Sequence, residues 1–119
     1  MVATTTKSRK SKGRIFQQEI ASLIVRHNPE INEGDIRTAL MGESGDDIII
    51  HPDKQHLVPL AIECKRTETT SVWAWWEQAK ARHTDDKVPV VVFRRSRSKP
   101  MVLLTADDFF TILRKGVKC

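Results

Sequence analysis

Cysteine and long apolar stretches are what this chain of 119 residues has least of. Its two cysteines, Cys64 and Cys119, match neither zinc-site spacing nor a disulfide framework. That points to a reducing, cytoplasmic setting. No apolar run approaches the roughly 20 residues of a membrane-spanning helix, and no signal peptide opens the chain. The four histidines, His27, His51, His56 and His83, are scattered without metal-ligand spacing, so ligation is not their expected role. Internal repeats are absent, and the only low-complexity stretch is the polar N-terminal tail.

What remains is an ordinary globular composition, 39% hydrophobic and 29% charged, with a length that fits one domain. The net charge of +5 suggests a polyanionic partner. The basic residues cluster. Lys7, Arg9, Lys10, Lys12 and Arg14 crowd the N-terminus, while Arg94, Arg95, Arg97 and Lys99 crowd a second place. A solubilising tail and a solvated turn are the plain alternatives.

Residues 1–11 lack apolar periodicity and read as a flexible basic arm ahead of a single domain over 12–119. Phe16, Ile20, Leu23, Ile24 and His27 follow the spacing of a helix with one buried face. Asn28-Pro29 ends it. Glu30 to Gly45 reads as loop, with room for a helical turn around Asp35 to Leu40. Asp47 to His51 and Leu57 to Lys65 are expected strands, joined as a hairpin across the Pro52-Asp53-Lys54 turn. A helix follows from Thr70 or Ser71 to about His83. "VPVVVFRR", from Val88, reads as a strand covered on both faces. Met101 to Leu104 is a fourth strand, and Thr105 caps a last helix to about Lys115. The order is α-β-β-α-β-β-α, an α/β fold.

The expected hairpin carries acid where a sheet should be dry. Side chains alternate along a strand, so Glu63 and Lys65 share one face while Ile62 and Cys64 share the other. Asp47 stands at the near end of the preceding strand and can converge on Glu63. Converging carboxylates need compensation. Lys65 alone could provide it as a partly buried ion pair. A hard cation is the other answer: Mg²⁺ takes oxygen ligands and keeps several waters, so two carboxylates plus a phosphate oxygen suit it. The Cys64 backbone carbonyl could add a ligand.

"SGDDIII…AIECKR" resembles the D-x(n)-(D/E)-x-K core of the PD-(D/E)XK nuclease superfamily. "MGESGDD" and "WAWWEQAKA" look like small phage and bacterial members akin to Holliday junction resolvases. The resemblance implies a restriction-endonuclease-like core, a central mixed sheet flanked by helices, in a bacterial or phage-infected cell. It implies a Mg²⁺-dependent DNA endonuclease in which Mn²⁺ substitutes. Asp47 and Glu63 would hold metal, and Lys65 would assist the attacking water. The proline of the motif is missing, and Asp46 precedes Asp47 as a rival. The K-G-x-x-x-E pattern of such resolvases places Gln17 where a glutamate is usual, with Glu19 two residues on as the preferred auxiliary acid. Gln78 aligns with the glutamine or lysine that contacts water or phosphate. Arg66 follows the E-x-K and suits a phosphate near the scissile bond.

No helix-turn-helix, zinc finger or aromatic RNA-binding motif offers base readout, so structure-selective cleavage is expected over sequence-specific cleavage. A branched junction needs two symmetric cuts, hence a homodimer. Trp73, Trp75 and Trp76 cannot share one helix face. Trp76 is expected in the core, and Trp73 or Trp75 at a dimer contact. A non-catalytic basic DNA-binding protein and an RNA nuclease with the same site stand as alternatives.

Overall fold

The computed structural model describes residues 6–68, 70–82 and 86–116, with side chains from residue 11 onward. Among the described residues the chain forms three α-helices and two sheets: α1 (Thr6–His27), β1 (Ile36–Thr38), β2 (Ile48–Ile50), β3 (Leu60–Arg66), α2 (Val72–Arg82), β4 (Val88–Arg94), β5 (Met101–Leu103) and α3 (Ala106–Gly116). The larger sheet runs β3-β4-β5, with β3 parallel to β4 and β4 antiparallel to β5. It is therefore a mixed α/β core with flanking helices.

The valine run of β4 explains the layering. Val90, Val91 and Val92 are all buried. Val90 and Val92 face α1, joining Phe16, Ile20, Ile48, Ile50 and Ile62 in one cluster. Val91 faces α2 and packs with Trp75 and Ala79. A strand buried on both sides needs apolar residues at every position rather than at alternate ones.

Several expectations change. The basic arm is already helical from Thr6, because Lys, Arg and Ser offer no break and an existing helix extends cheaply. Lys7, Arg9 and Lys10 lie in its first turns, and their side chains fall outside the described residues. The helix ends as expected: Asn28 Nδ2 donates to the Ile24 carbonyl at 2.7 Å. The turn expected near Asp35 to Leu40 is strand β1 instead, which pairs antiparallel with β2. Ile36 packs against the main core from there, and that burial outweighs local helical preference. The hairpin of β2 with β3 also gives way. A 3-10 segment, Pro52–Leu57, separates them, and β3 starts at Leu60 after Pro59. Finally, Trp75 is the core tryptophan at 8% exposure, Trp76 packs partly beside it, and Trp73 is 79% exposed.

Candidate active site

Asp47 sits one residue ahead of β2, and two hydrogen bonds pin it to β3. Its backbone N–H donates to the Ile62 carbonyl at 2.9 Å. Its Oδ2 accepts from the Cys64 N–H at 2.7 Å. Glu63 lies between those two anchor points. It pairs in register with Val91 and shares that residue's face, under α2. It is buried, at 6% exposure, the one polar or charged residue so placed among those described.

Helix α2 supplies the compensation. Arg82 Nη1 approaches both Glu63 oxygens, at 3.1 and 3.4 Å. Lys65 Nζ is 3.6 Å from Glu63 Oε1 and donates to Gln78 Oε1 at 2.7 Å. Gln78 and Arg82 are one helical turn apart, so both point at β3 from the same side. Sequence reasoning missed Arg82; its spacing of four from Gln78 was the available signal.

Burial pushes the carboxyl of Asp47 above its usual range, while the Cys64 N–H and the charges of Lys65 and Arg82 pull the other way. Burial also raises Glu63, and the Asp47 charge adds to it against Arg82 and Lys65. Both acids thus answer to the same two cations. The Cys64 thiol points into the α1 side of the sheet, where burial and the neighbouring carboxylates push it up. It is unsuited to act as a nucleophile.

The other candidates are placed differently. Asp46 pairs with Lys87 at 3.0 Å. Glu19 Oε2 pairs with Arg94 Nη1 at 2.8 Å, and Glu19 is not among the charges acting on Asp47 or Glu63. Gln17, by contrast, lines a cleft of about 940 Å³ together with Asp47. That cleft runs between α1, through Ser11, Gly13 and Arg14, and the 38–43 segment. Glu43 holds this segment: its carboxylate takes Arg37 at 2.9 Å through both oxygens and the Leu40 N–H at 2.8 Å.

Of the expected phosphate contacts, Lys12, Arg14 and Arg95 are exposed. Arg66 is tied to Glu68 at 3.0 Å. Arg94 is turned inward against the Phe16 ring, 5.2 Å from its centroid, with a buried Nε that has no partner. Glu68 engages Arg66, and Glu19 and the Phe16 ring hold Arg94, which leaves less of either guanidinium for a phosphate strand.

The donor set fits a hard divalent cation. Asp47 Oδ2 is engaged and Oδ1 is left for a ligand, Glu63 is a buried carboxylate, and the Cys64 carbonyl belongs to the residue between Glu63 and Lys65. Among the described residues no group of three His, Cys, Asp or Glu side chains gathers for a metal. Two carboxylates with a backbone carbonyl suit an ion that keeps its own waters. No helix among the described residues is long and apolar enough to cross a membrane.

One family model, described as "Phage putative PDDEXK endonuclease", matches residues 8–118. No curated protein and no solved structure matches the chain.

Proposed function

The chain belongs to this family of phage PDDEXK endonucleases, and from that premise we propose that it is a Mg²⁺-dependent, structure-selective DNA endonuclease acting at the Asp47–Glu63–Lys65 site. The observation that carries the reading is the anchoring of Asp47 on the Cys64 amide, which sets it beside buried Glu63. Asp47, Glu63 and the Cys64 carbonyl would hold the metal. When bound, the ion supplies Lewis-acid polarisation of the phosphate and eases deprotonation of water.

The chain's own groups do the rest. Lys65, oriented by Gln78, holds the attacking water and balances charge growing on the non-bridging oxygens. Water gives up a proton to solvent as it attacks phosphorus, the new O–P bond forms, and the P–O bond to the leaving strand breaks as that oxygen takes up a proton from solvent. Arg82 is 43% exposed at its side chain and can exchange Glu63 for a phosphate oxygen. Gln17 and Arg14 line the approach, with Arg14 and Lys12 placed for the DNA backbone. Glu19 has a structural role in this reading, through Arg94. A four-way or forked junction is the preferred substrate, and two chains related by a two-fold axis make the paired cuts.

The test is incubation of the full chain with Mg²⁺ on a four-way junction, a fork, nicked duplex and linear duplex. Preferential cutting of branched DNA, lost in Glu63→Ala, is expected. Intact substrates, or an unimpaired Glu63→Ala, would reject the reading. The pairing of Glu63 with Arg82 favours one rival, a DNA-binding protein that keeps the fold without catalysis. That rival predicts DNA retention with no metal uptake.

A further inference from the structure

The backbone of Asp47 closes a loop. The Ala39 N–H donates to the Asp47 carbonyl at 2.9 Å, one step beyond the Thr38–Ile48 pair that ends the β1–β2 ladder. Residues 40–46 therefore hang from the candidate metal ligand itself. The loop is stapled at its tip. The Glu43 N–H donates to the Leu40 carbonyl at 2.9 Å, which closes a tight turn over Met41 and Gly42. Gly42 has φ +82°, a value that glycine takes without strain at the third place of a turn. The Glu43 carboxylate then ties back to Arg37 through both oxygens and takes the Leu40 N–H.

What this frame presents is apolar. Leu40 is 72% exposed and Met41 is 81% exposed, and neither joins the apolar clusters of the described residues. Both line the cleft that holds Asp47, Gln17 and Arg14. The tip is two side chains wide, far short of the roughly 800 Å² per partner of a stable protein interface. Its place says what meets it. A DNA strand whose phosphates reach Arg14 and the acidic site passes the tip. Phosphates are polar, and the faces of the bases are the main apolar surface such a strand offers. Leucine and methionine are among the side chains that proteins insert between base steps.

We propose that Leu40 and Met41 form a wedge that enters the base stack beside the scissile phosphate, and that this wedge makes the site select branched DNA. The proposal rests on the nuclease reading of the acidic site and names its specificity element. Opening one stacked step of an intact duplex lowers affinity roughly 10-fold on average. At a branch point the stack is already interrupted, so the wedge enters there without that loss. The Glu43 staple matters for the same reason: a turn fixed before binding loses little freedom when it inserts.

The experiment compares wild type with the double variant Leu40→Ser/Met41→Ser. Without divalent metal, each chain is titrated onto a four-way junction that carries 2-aminopurine beside the branch point, a base whose fluorescence rises when it leaves the stack. Wild type should raise the signal, and the variant should bind without raising it. With Mg²⁺, the ratio of junction cleavage to linear-duplex cleavage should fall roughly 10-fold in the variant. Its melting curve and Mn²⁺ uptake should match wild type, because both side chains are exposed and neither is a candidate ligand. Equal fluorescence with both chains, or an unchanged cleavage ratio, would overturn the proposal and leave the nuclease reading standing. A wild type that cuts no substrate rejects that reading and the wedge with it. Sedimentation velocity without DNA covers the other occupant. A dimeric wild type and a monomeric variant, with fluorescence and cleavage ratio unaltered, would assign the tip to a second copy and overturn the wedge.

Discussion

Replacing Asp47 by alanine and by asparagine separates its two jobs. One is structural: Oδ2 accepts the Cys64 N–H at 2.7 Å in a half-buried place. The other is a negative charge beside Glu63. Asparagine keeps an oxygen acceptor and removes the charge, whereas alanine removes both. An amide left without its partner costs about 1–3 kcal/mol. Relief from the like charge of Glu63 is common to the two variants, so it cancels in their comparison. Alanine should therefore be less stable than asparagine by about 1–3 kcal/mol, or about 4–12 °C in Tm for a domain of this size.

The pH dependence has a definite sign. Burial raises the Asp47 carboxyl in the fold, so the folded chain binds its proton more tightly than the unfolded chain does. Ionised Asp47 then costs stability as pH rises above the ordinary value of 3.8, and the asparagine variant escapes that cost. Asparagine should accordingly gain on wild type between acid and neutral pH, without divalent metal. Both variants should lose cleavage by at least about 100-fold. Thermal melts over pH and cleavage rates check this. Equal destabilisation by both variants, or an asparagine variant that cuts like wild type, refutes the reasoning.

Trp75→Ala should cost about 3–5 kcal/mol in urea unfolding, from the cavity beside Val91. Trp73→Ala, at an exposed position, should stay within about 0.5 kcal/mol. Gln78→Ala releases Lys65 and should slow cleavage by roughly 10-fold or more while leaving Mn²⁺ affinity unchanged; a parallel loss of metal binding would contradict its role on the lysine. Glu43 is held down to about 2 by Arg37 and the Leu40 amide, so its grip on the 38–43 segment is full above 4.5 and fades as pH falls toward about 2. Glu43→Gln should speed amide hydrogen exchange at Leu40 at neutral pH, and unchanged exchange would count against that anchor.

The strands that carry the site were legible because burial on both faces leaves unbroken valine and isoleucine runs. Their partners were not. Ile48–Ile50 chooses Ile36–Thr38 across a loop of nine residues, and no local pattern encodes that choice. The resemblance to the nuclease core proposed Asp47, Glu63 and Lys65; spacing alone gave only that Glu63 and Lys65 share a strand face, and left the register of Asp47 open. Arg82 and the Lys87 partner of Asp46 depend on how α2 and the start of β4 pack, which is tertiary information. The tryptophan helix shows the same limit. Three tryptophans in four positions reveal that some must be exposed, but helix phase against the sheet decides that Trp75 is inside. For α3 the Thr105 cap was legible in the sequence, while the exposure of Phe109, Phe110, Ile112 and Leu113 is tertiary information.

Titration calorimetry with Mn²⁺, on wild type and on Glu63→Gln, bears most directly on the acidic site. Saturable binding by wild type that vanishes in the variant is the predicted result. A wild-type chain that takes up no metal, or a glutamine variant that binds equally well, would contradict it and leave Glu63 as the partner of Arg82 and nothing more.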